Sequence, residues 1–360
     1  MKPAFSPDAR HPSHPAMEPL RWIRRHLESR RPELTFQART PAGWRAWRRA
    51  LRPRLAAVIG LPEHTPDPGP PRATLCRVDR CEGYDRHALL IETLPDMPVP
   101  AFLLVPHGPA RPRPALLCCH GHGNGMNALV ALTDDGRPRR LGAGYQRDFA
   151  VQAVRAGFVA LTWDQMGFGR RRDVAFNRRQ GIANACEQPS KNLLHAGLSM
   201  TGLRVWDAMR MIDFLQSRPQ ARPGALGMVG ISGGGLVTQF TAALDDRIAA
   251  ACVSGYCNRF SASILSIRHC LDNFVPGLGP LADNDDIACL IAPRPLLIES
   301  GTRDPIFPIA ATRAAVAKLR RCYRLAGRPQ ALETFLFPGP HRFDGRKTWP
   351  FFRRWLGESG

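Results

Sequence analysis

The sequence ALGMVGISGGG, residues 225–235, joins an apolar run to a Gly-x-Ser-x-Gly motif. The run predicts a buried strand, and a helix-forming segment follows the motif. A strand, this motif and a helix in succession are typical of a nucleophile elbow, a tight turn that exposes the hydroxyl of Ser232. Side chains at positions 230 and 234 would collide with the neighbouring strand and helix, which explains the glycines found there. Because so short a motif also arises by chance, the surrounding residues have to support it.

The 360 residues are strongly basic, with 50 Lys and Arg against 30 Asp and Glu and a net charge of +20. Arginines concentrate in the N-terminal region, but no nucleic-acid-binding motif accompanies them, so we expect no specific nucleic-acid partner. The start of the chain lacks the apolar segment of a signal peptide, and no apolar run is long enough to span a membrane. The ten cysteines show no disulfide spacing. We therefore expect a cytoplasmic protein with no membrane partner.

Composition divides the chain into three regions. Residues 1–16, rich in Pro, His and Ser, predict a disordered N-terminus. Residues 17–72 show helical spacing of Leu and Trp, broken at Pro32, Pro41 and Pro53, and predict an N-terminal helical arm with a linker. Residues 73–360 predict a catalytic domain, and its segment 257–293 predicts a cap insertion because it is too long for a simple connection.

The catalytic region begins with strands and continues as alternating strands and helices. Residues 73–79 and 87–93 alternate apolar and polar side chains on either side of a turn. From about residue 149, segments with helical periodicity alternate with short apolar runs. This order predicts an α/β fold built on a doubly wound, mostly parallel eight-stranded sheet with antiparallel N-terminal strands.

A serine nucleophile requires a histidine to take its proton and an acid to orient the histidine. After an elbow, these partners follow in the order serine, acid, histidine. Only His269 and His341 lie beyond Ser232. His341 follows the last predicted strand and is the candidate base, whereas His269 sits in an amphipathic segment. Asp304, in the loop after the preceding strand, is the candidate acid, although a turn role is open to it. Rival acids are Glu299, Asp283, Asp285 and Asp286.

The tetrahedral oxyanion of such a reaction needs two preorganised donors. We expect one at the N–H of Gly233 and the other in the glycine-rich loop 119–125, where the N–H of His122 is the preferred candidate. Cys118 and Cys119 lie at the start of this stretch, but the spacing matches no common zinc pattern, so no metal site is expected.

Two aromatic residues are candidates for the substrate pocket. Phe168 lies in the loop 164–170, and Phe274 lies in the predicted cap. Asp164, which begins the first of these loops, is predicted to fix it by hydrogen bonds, with a catalytic role as the alternative.

The chain resembles the α/β-hydrolase superfamily, in particular its bacterial acetyl-xylan-esterase-like and dienelactone-hydrolase-like serine hydrolases. The motifs that carry the resemblance are residues 120–123, 164–169, 230–235, 301–308 and 339–341. The resemblance implies that Ser232 is the nucleophile, His341 the base and Asp304 the acid, with no cofactor. Dienelactone hydrolases proper have a cysteine in place of Ser232, and the Arg-Gly-Gln motif of acetyl xylan deacetylases is absent.

The expected function is hydrolysis of a small-molecule carboxylic ester through an acyl-enzyme. A short acyl group is expected, and an acetylated carbohydrate is one candidate substrate. A peptidase or acyltransferase with the same triad is the alternative, followed by a non-catalytic binding protein with this fold. The sequence does not indicate an oligomeric state.

Overall fold

The computed structural model describes residues 18–61 and 69–357. The predicted disordered segment 1–16 lies outside the described residues. The helices are α1 Pro19–Glu28, α2 Pro41–Val58, α3 Phe149–Arg155, α4 Val174–Gln180, α5 Glu187–His195, α6 Met200–Gln216, α7 Gly233–Leu244, α8 Leu278–Leu281, α9 Asn284–Cys289, α10 Ile309–Leu325 and α11 Thr348–Leu356. The strands are β1 Ala73–Cys81, β2 Tyr84–Leu94, β3 Met97–Pro106, β4 Arg113–Cys119, β5 Val159–Trp163, β6 Ala221–Ile231, β7 Ala250–Ser254, β8 Leu296–Gly301 and β9 Leu332–Phe337.

The strands of the described residues form one sheet in the order β1-β2-β3-β5-β4-β6-β7-β8-β9. Strands β1, β2 and β3 pair antiparallel, as do β3 and β5, and all pairings from β5 to β9 are parallel. The predicted mostly parallel α/β architecture is therefore confirmed. The expected number of eight strands is wrong: the sheet has nine, with the hairpin of β1 and β2 at the edge beside β3.

Both faces of the central parallel strands are buried, whereas the edge strand β9 is only partly buried. Along β4, Leu117 belongs to a core shared with α2, α6, α7 and α10, whereas the adjacent Leu116 belongs to a core shared with α3 and α11. A strand that is covered on both faces has no solvent-facing side. The central strands therefore appear in the sequence as continuous apolar runs.

Helix α2 of the predicted N-terminal helical arm packs into the larger of these two cores, whereas the apolar side chains of α1 are exposed. Helix α2 buries Leu51 and Leu55 there. Asp286, in α9, accepts hydrogen bonds from the Phe36 N–H at 2.8 Å and the Thr35 hydroxyl at 2.9 Å. Helix α2 and the sheet thus share one core. Within the described ranges, no helix combines the length and the apolar character needed to cross a bilayer.

Pro53 does not end α2, so the break expected at this residue is wrong. The helix runs through it from Pro41 to Val58. A proline inside a helix costs about 3 kcal/mol, because it lacks an N–H and crowds the preceding turn. Leu51 and Leu55 flank Pro53 and are fully buried. Each such burial contributes about 1.5–3 kcal/mol, so their packing outweighs the local cost.

The position of Leu51 makes the arm testable as part of the core. Its side chain is 0% exposed, so Leu51→Ala should lower the free energy of unfolding by about 2–5 kcal/mol through lost burial and a cavity. Urea denaturation followed by circular dichroism measures this change. In the control Leu75→Ala, the substituted side chain is 55% exposed on β1, and the change should stay within about 0.5 kcal/mol. Equal effects of the two substitutions would contradict the shared core.

Candidate active site

Ser232 lies in the turn between β6 and α7, with φ 58° and ψ −123°. Few residues with a side chain adopt this conformation, so the backbone at Ser232 is strained. The turn places the serine beyond the end of β6. A Cβ on Gly230 would collide with the carbonyl of Gly234, and one on Gly234 would collide with the carbonyl of Cys119. The Ser232 N–H donates to the carbonyl of Ser254 in β7 at 3.0 Å. The turn therefore depends on close contact with the strands on both sides of β6.

His341 and Asp304 meet at the same edge of the sheet, in the loops that follow the neighbouring strands β9 and β8. Nδ1 of His341 lies 2.6 Å from Oδ2 of Asp304. The other oxygen of Asp304 accepts the N–H groups of Ile306 at 2.9 Å and Phe307 at 3.0 Å, so the residue also has the turn role left open above. This pairing places the proton on Nδ1 and leaves Nε2 as the acceptor. That Nε2 is buried and has no hydrogen-bond partner among the described residues.

The rival acids hold other parts of the structure. Glu299 is buried and accepts the backbone N–H groups of Asp344 at 2.9 Å and Gly345 at 3.0 Å. Burial raises its pKa, although these hydrogen bonds oppose the shift. Glu299 thus supports the loop that carries His341 from below. The other rivals lie at the start of α9: Asp283, Asp285 and Asp286.

Tyr145 contacts both His341 and Ser232, and the sequence analysis missed it. Its ring stacks on that of His341 at 5.6 Å between centroids, and Phe307 stacks on the histidine at the same distance. The Tyr145 hydroxyl donates to the carbonyl of His122 at 2.6 Å and also interacts with the Ser232 side chain. Burial raises the pKa of Tyr145, so the phenol stays protonated. Its loop contains no motif that could have indicated this role.

His122 and Gly233, the expected oxyanion donors, lie next to each other. A Cβ on Gly233 would lie 3.1 Å from Nδ1 of His122 and 4.0 Å from its backbone nitrogen. The loop is held by the side chain of Gln146, which accepts the Gly121 N–H at 2.7 Å. Two backbone donors and one imidazole therefore stand beside the strained turn.

His120 is a neutral structural residue. Its Nδ1 lies 2.8 Å from the carbonyl of Gly121, and its Nε2 lies 3.0 Å from the N–H of Gln165. Since Nε2 must accept this backbone proton, the network assigns the ring proton to Nδ1. Burial lowers the pKa of His120 from 6.5 to about 3. The imidazole therefore stays uncharged at neutral pH and fixes the loop rather than transferring protons.

The lowered pKa of His120 predicts a pH-dependent stability. Below pH 6.5, His120 is protonated in the unfolded chain but stays neutral in the folded protein. The free energy of unfolding therefore falls as the pH falls towards 3. At about 1.4 kcal/mol per pH unit, His120 should account for a loss of about 2 kcal/mol between pH 6.5 and pH 5. Urea unfolding at the two pH values should show a smaller loss in His120→Gln than in the wild type. The exposed control His195→Gln should keep the wild-type loss, and an unchanged loss in His120→Gln would contradict the argument.

His122 belongs to a cluster of four potential metal ligands. His122, Cys186, Cys270 and Asp272 each offer a donor atom, and these atoms lie within 4.8 Å of one another. Arg204 already occupies the cluster: its guanidinium donates to Asp272 at 2.5 Å and contacts the sulfur of Cys186 at 3.3 Å. A divalent cation would have to face this buried positive charge. The donor set therefore fits an ion-pair network better than a metal centre.

Three further residues from the sequence analysis occupy distinct positions. Asp164 accepts the N–H groups of Met126 at 2.8 Å and Arg170 at 2.9 Å, which ties two loops together. Phe168 is buried and makes an edge contact with the His122 ring at 5.0 Å. Phe274 is half-buried and packs against the larger core, so its place in a substrate pocket stays a prediction.

A strained serine after β6 and an Asp–His pair after β8 and β9 on this sheet define the class of the protein as α/β-hydrolase. The resemblance to this superfamily is thereby confirmed. The model of the Abhydrolase family (Abhydrolase_7) matches residues 18–348, and the chain belongs to this family.

Comparison with known proteins agrees with this assignment. One relative is YtaP of Bacillus subtilis (strain 168), which is named as a proposed hydrolase. It is 31% identical over 268 residues, which cover 71% of this chain and 81% of YtaP. A solved structure from Bacteroides fragilis NCTC 9343, whose name proposes an acetyl xylan esterase, has a TM-score of 0.79 at 18% identity and 95% coverage of both chains. A glucuronoyl esterase from Solibacter usitatus has a TM-score of 0.64 at 16% identity, covering 86% of this chain and 93% of its own. The two structural matches show a common fold.

Proposed function

We propose that the protein is a serine esterase in which Ser232 attacks a carboxylic ester and forms an acyl-enzyme. The observation that carries the proposal is the 2.6 Å contact between His341 and Asp304 at the sheet edge where the strained Ser232 turn lies. In this mechanism His341 takes the serine proton at Nε2 and returns it to the leaving alcohol. Asp304 holds the imidazole in the required tautomer and stabilises the imidazolium that forms. Water then hydrolyses the acyl-enzyme by the same route.

Two environments support these roles. The side chain of Asp304 is almost fully buried, so its interaction with His341 is little screened by water. Gly233 is the first residue of α7, so its backbone N–H lies at the helix N-terminus. Unpaired N–H groups and the helix dipole favour a negative charge there. Both features stabilise charges that develop only during the reaction. They require no metal ion or cofactor.

For the substrate we propose a small ester with a short acyl group, with an acetylated carbohydrate as the leading candidate. The names of two structural neighbours, an acetyl xylan esterase and a glucuronoyl esterase, support a carbohydrate ester. A panel of p-nitrophenyl esters from acetyl to octanoyl, together with acetylated sugars, tests acyl length and alcohol separately. The highest kcat/KM should fall on the acetyl members, and a maximum at octanoyl would contradict the short-acyl proposal.

The nucleophile is tested by Ser232→Ala. The variant should lose hydrolysis of p-nitrophenyl acetate and covalent labelling by a fluorophosphonate probe, because both require the serine oxygen. Ser217→Ala, which removes a hydroxyl at the end of α6, should keep both activities. Labelling and turnover that persist in Ser232→Ala would rule out the proposed role.

The acid is tested by Asp304→Asn. An amide in place of the carboxylate favours the wrong tautomer of His341, so kcat should fall by about 10⁴-fold while the fold is retained. Steady-state kinetics and thermal melting measure the two effects. Asp85 forms an exposed pair with His107 at 2.9 Å, so Asp85→Asn removes a matched carboxylate away from the triad and should leave kcat unchanged. A similar kcat in both variants would show that Asp304 is not the orienting acid.

A further inference from the structure

A second histidine–carboxylate pair lies beside the turn that carries Ser232. Nε2 of His122 is 3.2 Å from Oδ2 of Asp272, whose side chain is 0% exposed. The buried Arg204 donates to the same oxygen at 2.5 Å. The Asn273 side-chain amide donates to the other oxygen at 2.7 Å. Hydrogen bonds from Arg204 and Asn273 therefore fix the carboxylate, and His122 adds an ion-pair contact at 3.2 Å.

The orientation of the His122 ring directs its other nitrogen towards the reaction site. Nε2 is buried and faces Asp272 as an ion pair without a regular hydrogen bond, and 33% of the side chain is exposed elsewhere. A Cβ on Gly233 would lie 3.1 Å from Nδ1 but 4.0 Å from the backbone nitrogen of His122. Nδ1 thus lies on the side of the imidazole that faces the first turn of α7, where Gly233 begins the helix. The edge contact with Phe168 at 5.0 Å keeps the ring in this plane.

The charges of the pair favour a protonated His122. Burial would lower the pKa of His122, but the charge of Asp272 outweighs it and raises this pKa to about 10. Burial would raise the pKa of Asp272, but Arg204 and His122 hold it well below its usual range. Two cations share one carboxylate, which leaves a net charge of +1. Other titratable groups facing His122 are Cys186, Cys270, His120 and His269.

We propose that the His122 imidazolium donates a hydrogen bond from Nδ1 to the oxyanion of the tetrahedral intermediate, alongside the Gly233 N–H. Asp272 and Arg204 are the positioning residues that hold it there. The inference rests on the esterase function proposed above. It adds a charged side-chain donor to the backbone donors expected from the sequence.

The step conserves protons and electrons. As Oγ of Ser232 bonds to the carbonyl carbon, its proton moves to Nε2 of His341, and the carbonyl π pair becomes the negative charge on oxygen. The His122 proton is shared with this oxygen but not transferred. When the C–O bond to the alcohol breaks, the charge returns to the carbonyl, and His341 protonates the leaving oxygen. A fixed cation facing a charge that exists only in the intermediate stabilises the transition state more than the bound ester.

The test separates kcat from KM in two variants of His122 with p-nitrophenyl acetate. His122→Ala removes the donor, and kcat should fall by about 10²–10³-fold with little change in KM, as for other oxyanion donors. His122→Asn retains a neutral amide near the position of Nδ1, so its kcat should lie between those of the wild type and His122→Ala. His107→Asn makes the same change in the exposed pair with Asp85 and should leave kcat unchanged. Thermal melting shows whether each variant is folded.

The outcomes distinguish this inference from the proposed function. If kcat stays at the wild-type value in folded His122→Ala, or if only KM changes, the inference is overturned and the Ser232 esterase stands. If Ser232→Ala retains the wild-type activity, the proposed function and the inference both fall. If His122→Ala is unfolded, the kcat of His122→Asn decides: a reduced value supports the charged donor, and an unchanged value overturns it.

The positioning role of Asp272 has its own readout. In Asp272→Asn, nitrogen NMR of labelled histidine should show a lower pKa for His122, and kcat should fall in parallel. A variant that melts earlier but keeps the wild-type titration of His122 would assign Asp272 a structural role only.

Discussion

The backbone of Ser232 is held in a conformation that its own side chain disfavours, and the site is arranged around that turn. Such strain costs about 1–3 kcal/mol and persists only where the surroundings over-determine the backbone. Here β6 is buried on both faces, α7 begins at the next residue, and the Ser232 N–H is bound to β7. Glycines at 230 and 234 allow the neighbouring backbones to approach closely enough. The core thus sustains the strained turn that carries the Ser232 hydroxyl.

The parallel part of the sheet then brings distant segments together. Strands β4, β6, β8 and β9 all run in the same direction, so the loops after their carboxyl ends open at one edge. Three loops contribute His122, Asp304 and His341 to the surroundings of the serine. Side chains from outside these loops complete the contacts, with Tyr145 packed against His341.

Two histidines separated by one glycine show how local contacts decide charge. His120 and His122 lie on one loop, and burial disfavours the charged form of both. His120 meets a backbone N–H at Nε2, so a second proton has no acceptor there. His122 meets the carboxylate of Asp272 instead. Histidine is therefore neutral and structural at position 120 but positively charged at position 122.

The sequence by itself determined the fold class and the candidates Ser232, Asp304 and His341, because strand periodicity and the order of motifs are local properties of the chain. Only the tertiary structure decided the ninth strand, the continuation of α2 through Pro53, and the contacts of Tyr145, Asp272 and Arg204. The packing that offsets Pro53 depends on which surfaces come into contact after folding. The same holds for the contact between Asp272 and His122, which are 150 residues apart in the chain. Sequence spacing does not predict such contacts. Tyr145 and Asp272 lie in segments without periodicity, and Arg204 lies in a mostly apolar helix whose pattern gives no sign of a buried charge.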